Sequence, residues 1–140
     1  MERPADRADI SFPASVTPRR PLEGTHILIV EDEIIIAMEI ESNLQEAGAA
    51  IVGPAHTLSD AMALATREAI SAAVLDLRIG RQSVEPVVRA LAARSIPFLF
   101  YSGQAPSDPV RTQWPDAAVV SKPVLAPVLV AALELVLKGR

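Results

Sequence analysis

Three carboxylates, a hydroxyl and an amine carry most of the chemistry this sequence offers. They are Glu31 and Asp32 in "ILIVEDEIII", Asp76 in "AVLDLRIG", Ser102 in "FLFYSG" and Lys122 in "VVSKP". Each stands at the end of a short apolar run. Carboxylates clustered without His or Cys make a hard, all-oxygen set suited to Mg²⁺, which keeps several waters and needs few protein ligands. A divalent ion would relieve the repulsion among Glu31, Asp32 and Asp76. A carboxylate beside such an ion can attack phosphorus and become an acyl phosphate. An amine such as Lys122 would neutralise the phosphoryl oxygens, and Ser102 would donate a hydrogen bond to one of them. Singly, each residue has a plainer reading. Asp32 and Glu33 favour a helix N-terminus, Asp76 and Ser102-Gly103 suit turns, and Lys122 before Pro123 suits a solvated loop. Their shared position at the ends of apolar runs sets them apart from these plainer readings.

That position has meaning only if the apolar runs are neighbouring strands. "HILIV" (26–30) reads as a strand buried on both faces. A helix follows over 33–47, with Ile36, Ile40, Leu44 and Ala47 on one face and Gly48 ending it. A second strand, 49–53, closes at Gly53-Pro54. A second helix, 57–69, is capped by Thr57 and turns Leu58, Met62 and Ala65 or Thr66 inward. The third strand covers 71–77, "RIGRQS" reads as a loop, and a third helix spans 83–94 with Pro86 in its first turn. The fourth strand is 97–103. Three prolines in 104–116 leave room only for a short or irregular helix. A fifth strand covers 117–121 and a last helix 126–138. Strands alternating with helices imply a doubly wound parallel sheet, whose ligands bind at the C-terminal ends of the strands near a switch in strand order. Every one of the chemistry-bearing residues falls there.

Bulk properties remove other classes. The chain has 140 residues, enough for one domain with a real core. Half the residues are apolar, 21% are charged, and the net charge is -4, so no general basic surface for nucleic acid is evident. There is no cysteine, hence no disulfide and no thiol chemistry, which fits a reducing cytoplasm. No apolar run reaches the length of a membrane span. Residues 1–23 are polar and proline-rich and read as a flexible arm, leaving 24–140 as the domain; Ile10 and Phe12 in the arm could instead dock on a partner.

The quoted motifs resemble the receiver domain of two-component response regulators over about Gly24 to Lys138. The resemblance implies a flavodoxin-like (βα)5 fold. It makes Glu31 and Asp32 the acidic pair, Asp76 the phospho-acceptor, Ser102 the hydroxyl position and Lys122-Pro123 the Lys-Pro signature, with that peptide bond cis. It also implies Mg²⁺ held by Asp32, Asp76 and the backbone carbonyl of Arg78, with Glu31 on the ion directly or through water. A histidine kinase or histidine phosphotransfer protein would supply the phosphoryl group. The chain would be a phospho-acceptor rather than an enzyme, with at most self-catalysed transfer and dephosphorylation, switching a downstream protein partner. Neither nucleic acid nor membrane is expected as a partner, and a homodimer stays open. "PFLFYSG" and the proline-broken segment after it resemble an alphaproteobacterial subgroup with a Phe-Ala-Thr-Gly type motif, often free-standing or attached to HWE-type kinases.

Two further departures from the family pattern matter. Val119 stands where an inward-swinging aromatic residue is usual. Tyr101 points to the opposite face from Ser102 by strand alternation and is no substitute. Arg78 stands two after the acceptor, where a small or polar residue is common; its guanidinium could meet the phosphoryl group, Glu31 or solvent. Ile34, Ile35 and Ile36 cannot all face one core, so Ile34 or Ile35 is expected exposed beside the acids as a docking edge, with Pro123 near it. The chain stops after its last helix, which suits a stand-alone regulator or the C-terminal receiver of a hybrid histidine kinase. Two alternatives are a phosphorylation-independent scaffold and a haloacid-dehalogenase-type phosphatase. The phosphatase needs a second acid where Arg78 stands and its nucleophile after the first strand. A dinucleotide-binding role lacks the glycine fingerprint after strand one.

Overall fold

Ile27 to Val30 are all buried, and they are buried on opposite sides. Leu28 and Val30 face one apolar cluster, Ile27 and Ile29 the other. An isolated apolar run does this only as a central strand with helices on both faces. The computed structural model, which describes residues 20–103 and 108–139, shows that arrangement.

In chain order the elements are β1 (His26–Val30), α1 (Ile34–Glu46), β2 (Ala50–Ala55), α2 (Leu58–Arg67) and β3 (Ala72–Leu75). Then come α3 (Glu85–Ala93), β4 (Phe98–Ser102), α4 (Pro109–Gln113), β5 (Ala118–Ser121) and α5 (Ala126–Lys138). The five strands form one parallel sheet in the order β2-β1-β3-β4-β5. The expected doubly wound fold is therefore the observed one. Leu28, Leu75 and Phe100 pack with α2 and α3 residues such as Ala61, Ala65, Val87, Val88 and Leu91. Ile29, Val74, Leu99 and Tyr101 pack with Ile40 and Leu44 of α1 and Leu129 and Leu133 of α5.

The sheet register positions the chemistry. Val30 pairs with Leu75 across β1 and β3, and the Asp76 amide donates to the Val30 carbonyl at 3.0 Å. Glu31 and Asp76 thus leave the sheet side by side. Ser102 pairs with Ser121, and the Lys122 amide donates to the Ser102 carbonyl at 2.9 Å. The chain reverses its winding between β1 and β3, so the acids flank the crevice that such a reversal opens.

Several sequence expectations need correction. β2 does not close at Gly53; it runs through the cis Gly53-Pro54 bond to Ala55, with a shift in register that lets Val30 pair with Ala55. Gly53 has φ +96°, and a Cβ there would lie 2.7 Å from the Ala55 amide nitrogen, so a side chain is excluded. "RIGRQS" is not a plain loop. Arg78–Ile79 pairs antiparallel with Gln82–Ser83 around Gly80, where φ is +64°. On α1 the expected Ile40, Leu44 and Ala47 are buried, but Ala37 is buried with them and Ile36 only partly. On α2, Leu58, Met62 and Ala65 pack inward as expected, Ala61 is buried beside them, and Thr66 is exposed and donates its hydroxyl proton to the Met62 carbonyl.

Leu22, expected within the arm, belongs to the core. Leu22 is fully buried in the α1–α5 cluster, and its amide donates to the Ala47 carbonyl at 2.8 Å. A proline on one side and charges around it hid one core leucine. Ile10 and Phe12 lie outside the described residues. Leu22→Ala should cost about 2–4 kcal/mol in a urea melt, the range for a buried leucine truncation. A loss below about 0.5 kcal/mol, the range of ordinary surface changes, would put residue 22 back in the arm.

Candidate functional site

Lys122 sits where three chain segments meet. Its Nζ lies 2.9 Å from Asp76 Oδ2 and 2.9 Å from Glu31 Oε1. The same Nζ lies over the ring of Tyr101, 5.3 Å from the ring centroid, a cation–π contact. The lysine Nζ is therefore shared between the Tyr101 ring and the two carboxylates. Tyr101 does lie on the opposite face from Ser102, as alternation required, yet its ring still reaches the site lysine.

The carboxylates converge. One oxygen from each of Glu31, Asp32 and Asp76 falls within 4.8 Å of the others. Glu31 is the buried member, only 1% exposed. Its Oε2 accepts from the Glu33 amide at 3.1 Å. Its Oε1 is buried and meets Lys122 as an ion pair without an aligned hydrogen bond. Asp32 is half-buried, and its Oδ2 accepts from the Gly80 amide at 2.7 Å, which ties the acidic pair to the Arg78–Ser83 hairpin. His56, just past β2, hydrogen-bonds the Glu31 carbonyl through Nδ1 at 2.9 Å. A carbonyl only accepts, so Nδ1 carries the proton and the ring braces the Glu31 peptide. Three carboxylates against one lysine, with a buried oxygen lacking an aligned donor, are a donor set that fits a hard divalent cation.

Charge states follow from burial. Burial pushes the Glu31 carboxyl up from 4.5 to about 6, against the pull of Lys122 and the Glu33 amide and with help from the Asp76 charge. Burial draws the Lys122 ammonium down, but the Glu31 and Asp76 carboxylates outweigh it and hold the amine above its ordinary value. Lys122 is thus firmly charged, while Glu31 is the acid that resists ionisation.

The remaining sequence candidates separate into two groups. Ser102 is buried and lines the same cleft as Asp76, Lys122 and Gly103. Pro123 follows Lys122 through a cis bond and is exposed. Arg78 turns its side chain to neither Glu31 nor open solvent alone. Nε lies 3.5 Å from Asp108 Oδ2, and Nη1 donates to the Arg81 carbonyl at 3.2 Å. Glu33 precedes α1 but makes no side-chain cap. Ile34 and Ile35 are 60% and 81% exposed, and Met38 one turn on is also exposed, so an apolar edge borders the acids.

Sequence reasoning missed Asp108 and His56. Asp108-Pro109 is a helix-start signal, an Asx cap followed by proline in the first turn. The three prolines of that segment were read only as breakers. Asp108 is buried, and its Oδ1 accepts from the Val110 amide at 2.9 Å. His56 lay beyond a strand end placed too early.

Glu31 makes the metal-free protein sensitive to pH. The fold holds the Glu31 proton more tightly than the unfolded chain does. Its contribution is complete below about pH 4.5 and is lost as pH rises through about 6, roughly 2 kcal/mol in all. Thermal melts in chelator should show wild type falling relative to Glu31→Gln over that window. Parallel curves for the two proteins would refute the assignment.

No family model and no curated protein matches the sequence. Solved structures do. A response regulator receiver protein from Sinorhizobium medicae is 25% identical with TM-score 0.73, over 83% of this chain and 96% of that one. The response regulator PhyR from Brucella abortus is 26% identical with TM-score 0.70, over 85% of this chain and 50% of that one. The chain likewise spans 49% of the anti-anti-sigma factor PhyR from Bartonella quintana, so it covers about half the length of these two neighbours. A receiver domain of a sensor histidine kinase from Pseudomonas aeruginosa, with a magnesium ion coordinated in its active site cleft, is 22% identical with TM-score 0.70, over 82% of this chain and 98% of that one. Among the described residues no helix is long and apolar enough to cross a membrane. With its β2-β1-β3-β4-β5 parallel sheet and these neighbours, the chain carries the fold of the response regulator receiver domain.

Proposed function

We propose that the chain accepts a phosphoryl group on Asp76 from a phosphohistidine of a kinase or phosphotransfer protein, and that the acyl phosphate switches binding of a downstream protein. The observation that carries this reading is the pairing of Lys122 Nζ with Asp76 Oδ2 and Glu31 Oε1 at 2.9 Å each, beside the Asp32 carboxylate. A lysine already on the acceptor carboxylate is placed to follow the incoming phosphoryl oxygens.

In the transfer, an Asp76 carboxylate oxygen forms a bond to phosphorus as the phosphorus–nitrogen bond to the donor imidazole breaks, and the ring keeps the electron pair and takes a proton from water. Asp32, Asp76 and Glu31 would hold Mg²⁺, which supplies positive charge against the phosphoryl oxygens. Lys122 shifts from Asp76 to a phosphoryl oxygen, and Ser102 offers its hydroxyl from the cleft wall. His56 keeps the Glu31 peptide in place, and the Tyr101 ring contacts the lysine Nζ. Asp76 is the nucleophile and also keeps the phosphoryl group, so the chain is the acceptor of the transfer. The chemistry is the same for a stand-alone receiver and for one joined to a kinase. The apolar edge of Ile34, Ile35 and Met38 borders the crevice, which is where a donor helix must rest to bring its histidine to Asp76.

Two measurements test this. Incubation with acetyl phosphate and Mg²⁺ should add about 80 Da, one phosphoryl group in an acyl phosphate; Asp76→Asn should add none. An adduct on Asp76→Asn, or none on wild type, would overturn the reading. Ile35→Asp should slow transfer from a phosphohistidine donor by roughly tenfold or more, as loss of a contact hot spot does, and leave labelling by acetyl phosphate unchanged. Equal rates from the protein donor would remove the docking assignment.

A further inference from the structure

Arg78 pairs with Asp108 across the cleft, joining the segment after Asp76 to the start of α4. Arg78 stands two residues after Asp76, and its side chain is 52% exposed. Asp108 is 6% exposed at the side chain and holds two partners at once, the Arg78 guanidinium through Oδ2 and the Val110 amide through Oδ1. Both residues line the cleft that also holds Asp76, Ser102 and Lys122. Val119 on β5 has no polar tip with which to meet a phosphoryl group.

We infer that Arg78 is the phosphoryl sensor of this chain: it leaves Asp108 for the phosphoryl group on Asp76, and the loss of its partner from Asp108 carries the signal to α4. This rests on the phospho-acceptor reading. Two anions compete for one guanidinium. The Arg78–Asp108 contact is long at 3.5 Å and mostly solvated on the arginine side, so it is weak. A phosphoryl group carries nearly twice the charge of a carboxylate and accepts the planar guanidinium fork through two oxygens. The arginine stem is half-exposed, so it reorients without breaking a packed core. Asp108 cannot follow, because it is buried and begins α4. Stripped of its cation, a buried carboxylate is unfavourable, and the local remedy is to loosen or re-seat the short helix it caps. The exposed side of α4 then differs between the two states, and a partner that prefers one of them senses phosphorylation.

The test combines intact mass with amide hydrogen exchange across Pro109–Trp114. Phosphorylation of wild type by acetyl phosphate and Mg²⁺ should speed exchange at the Val110 and Trp114 amides by about two- to fivefold, the range a weak ion pair commands. Arg78→Ala should show that faster exchange already without phosphate, and its adduct, formed at whatever rate, should change α4 no further. Asp108→Asn keeps an oxygen for the Val110 amide but drops the charge, and it should likewise lose the response. Unchanged α4 exchange in phosphorylated wild type, or a full response in phosphorylated Arg78→Ala, would overturn the coupling while leaving Asp76 as acceptor. No adduct on wild type would remove the acceptor reading and this inference together.

Discussion

The site depends on one arrangement of charge: a single ammonium held between two carboxylates at the edge of a parallel sheet. Lys122 satisfies Asp76 and approaches Glu31, but three carboxylates outnumber it. The excess negative charge is partly buried, where Coulomb repulsion is stronger and hydration poorer than at an open surface. Glu31 shows the strain most clearly, with a carboxyl pushed up to about 6 by burial. Such a cluster lowers stability by itself and becomes favourable only with a cation or a reaction to serve.

The sheet makes this arrangement unavoidable once the core has formed. β1 and β3 are buried on both faces, so their register is fixed by packing on either side. The residues that follow Val30 and Leu75 must then emerge together. β4 and β5 bring Ser102 and Lys122 to the same edge by the same logic. Backbone amides hold the two acids after β1. Glu33 N–H holds Glu31, and Gly80 N–H holds Asp32. Main-chain donors thus fix Glu31 and Asp32, while the Lys122 side chain holds Asp76, which preorganises the cluster.

Much of this was legible in the sequence because the strongest signals are local. Apolar runs such as "HILIV" and "AVL" ending in acids locate strand ends within a residue or two, and Thr57 and Gly48 punctuate their helices as expected. The failures were of tertiary origin. Leu22 looks like part of a polar arm, yet burial against α1 and α5 overrides its neighbours. Gly53-Pro54 reads as a stop, yet a local register shift lets β2 continue to Ala55. The pairing of Arg78 with Asp108 joins residues thirty positions apart across a proline-rich segment, and no short-range pattern encodes it. Tyr101 was set aside on alternation, which is right about its face and silent about a lysine Nζ over its ring.

Excess carboxylate charge around Lys122 should be matched to a divalent cation, and thermal melting with and without Mg²⁺ measures that match. Wild type should gain stability with Mg²⁺, by about 2.7 kcal/mol at a hundredfold excess over the dissociation constant, and Asp32→Asn and Asp76→Asn should gain far less. An Mg²⁺-independent melting curve for wild type, or an equal gain in the two variants, would contradict it.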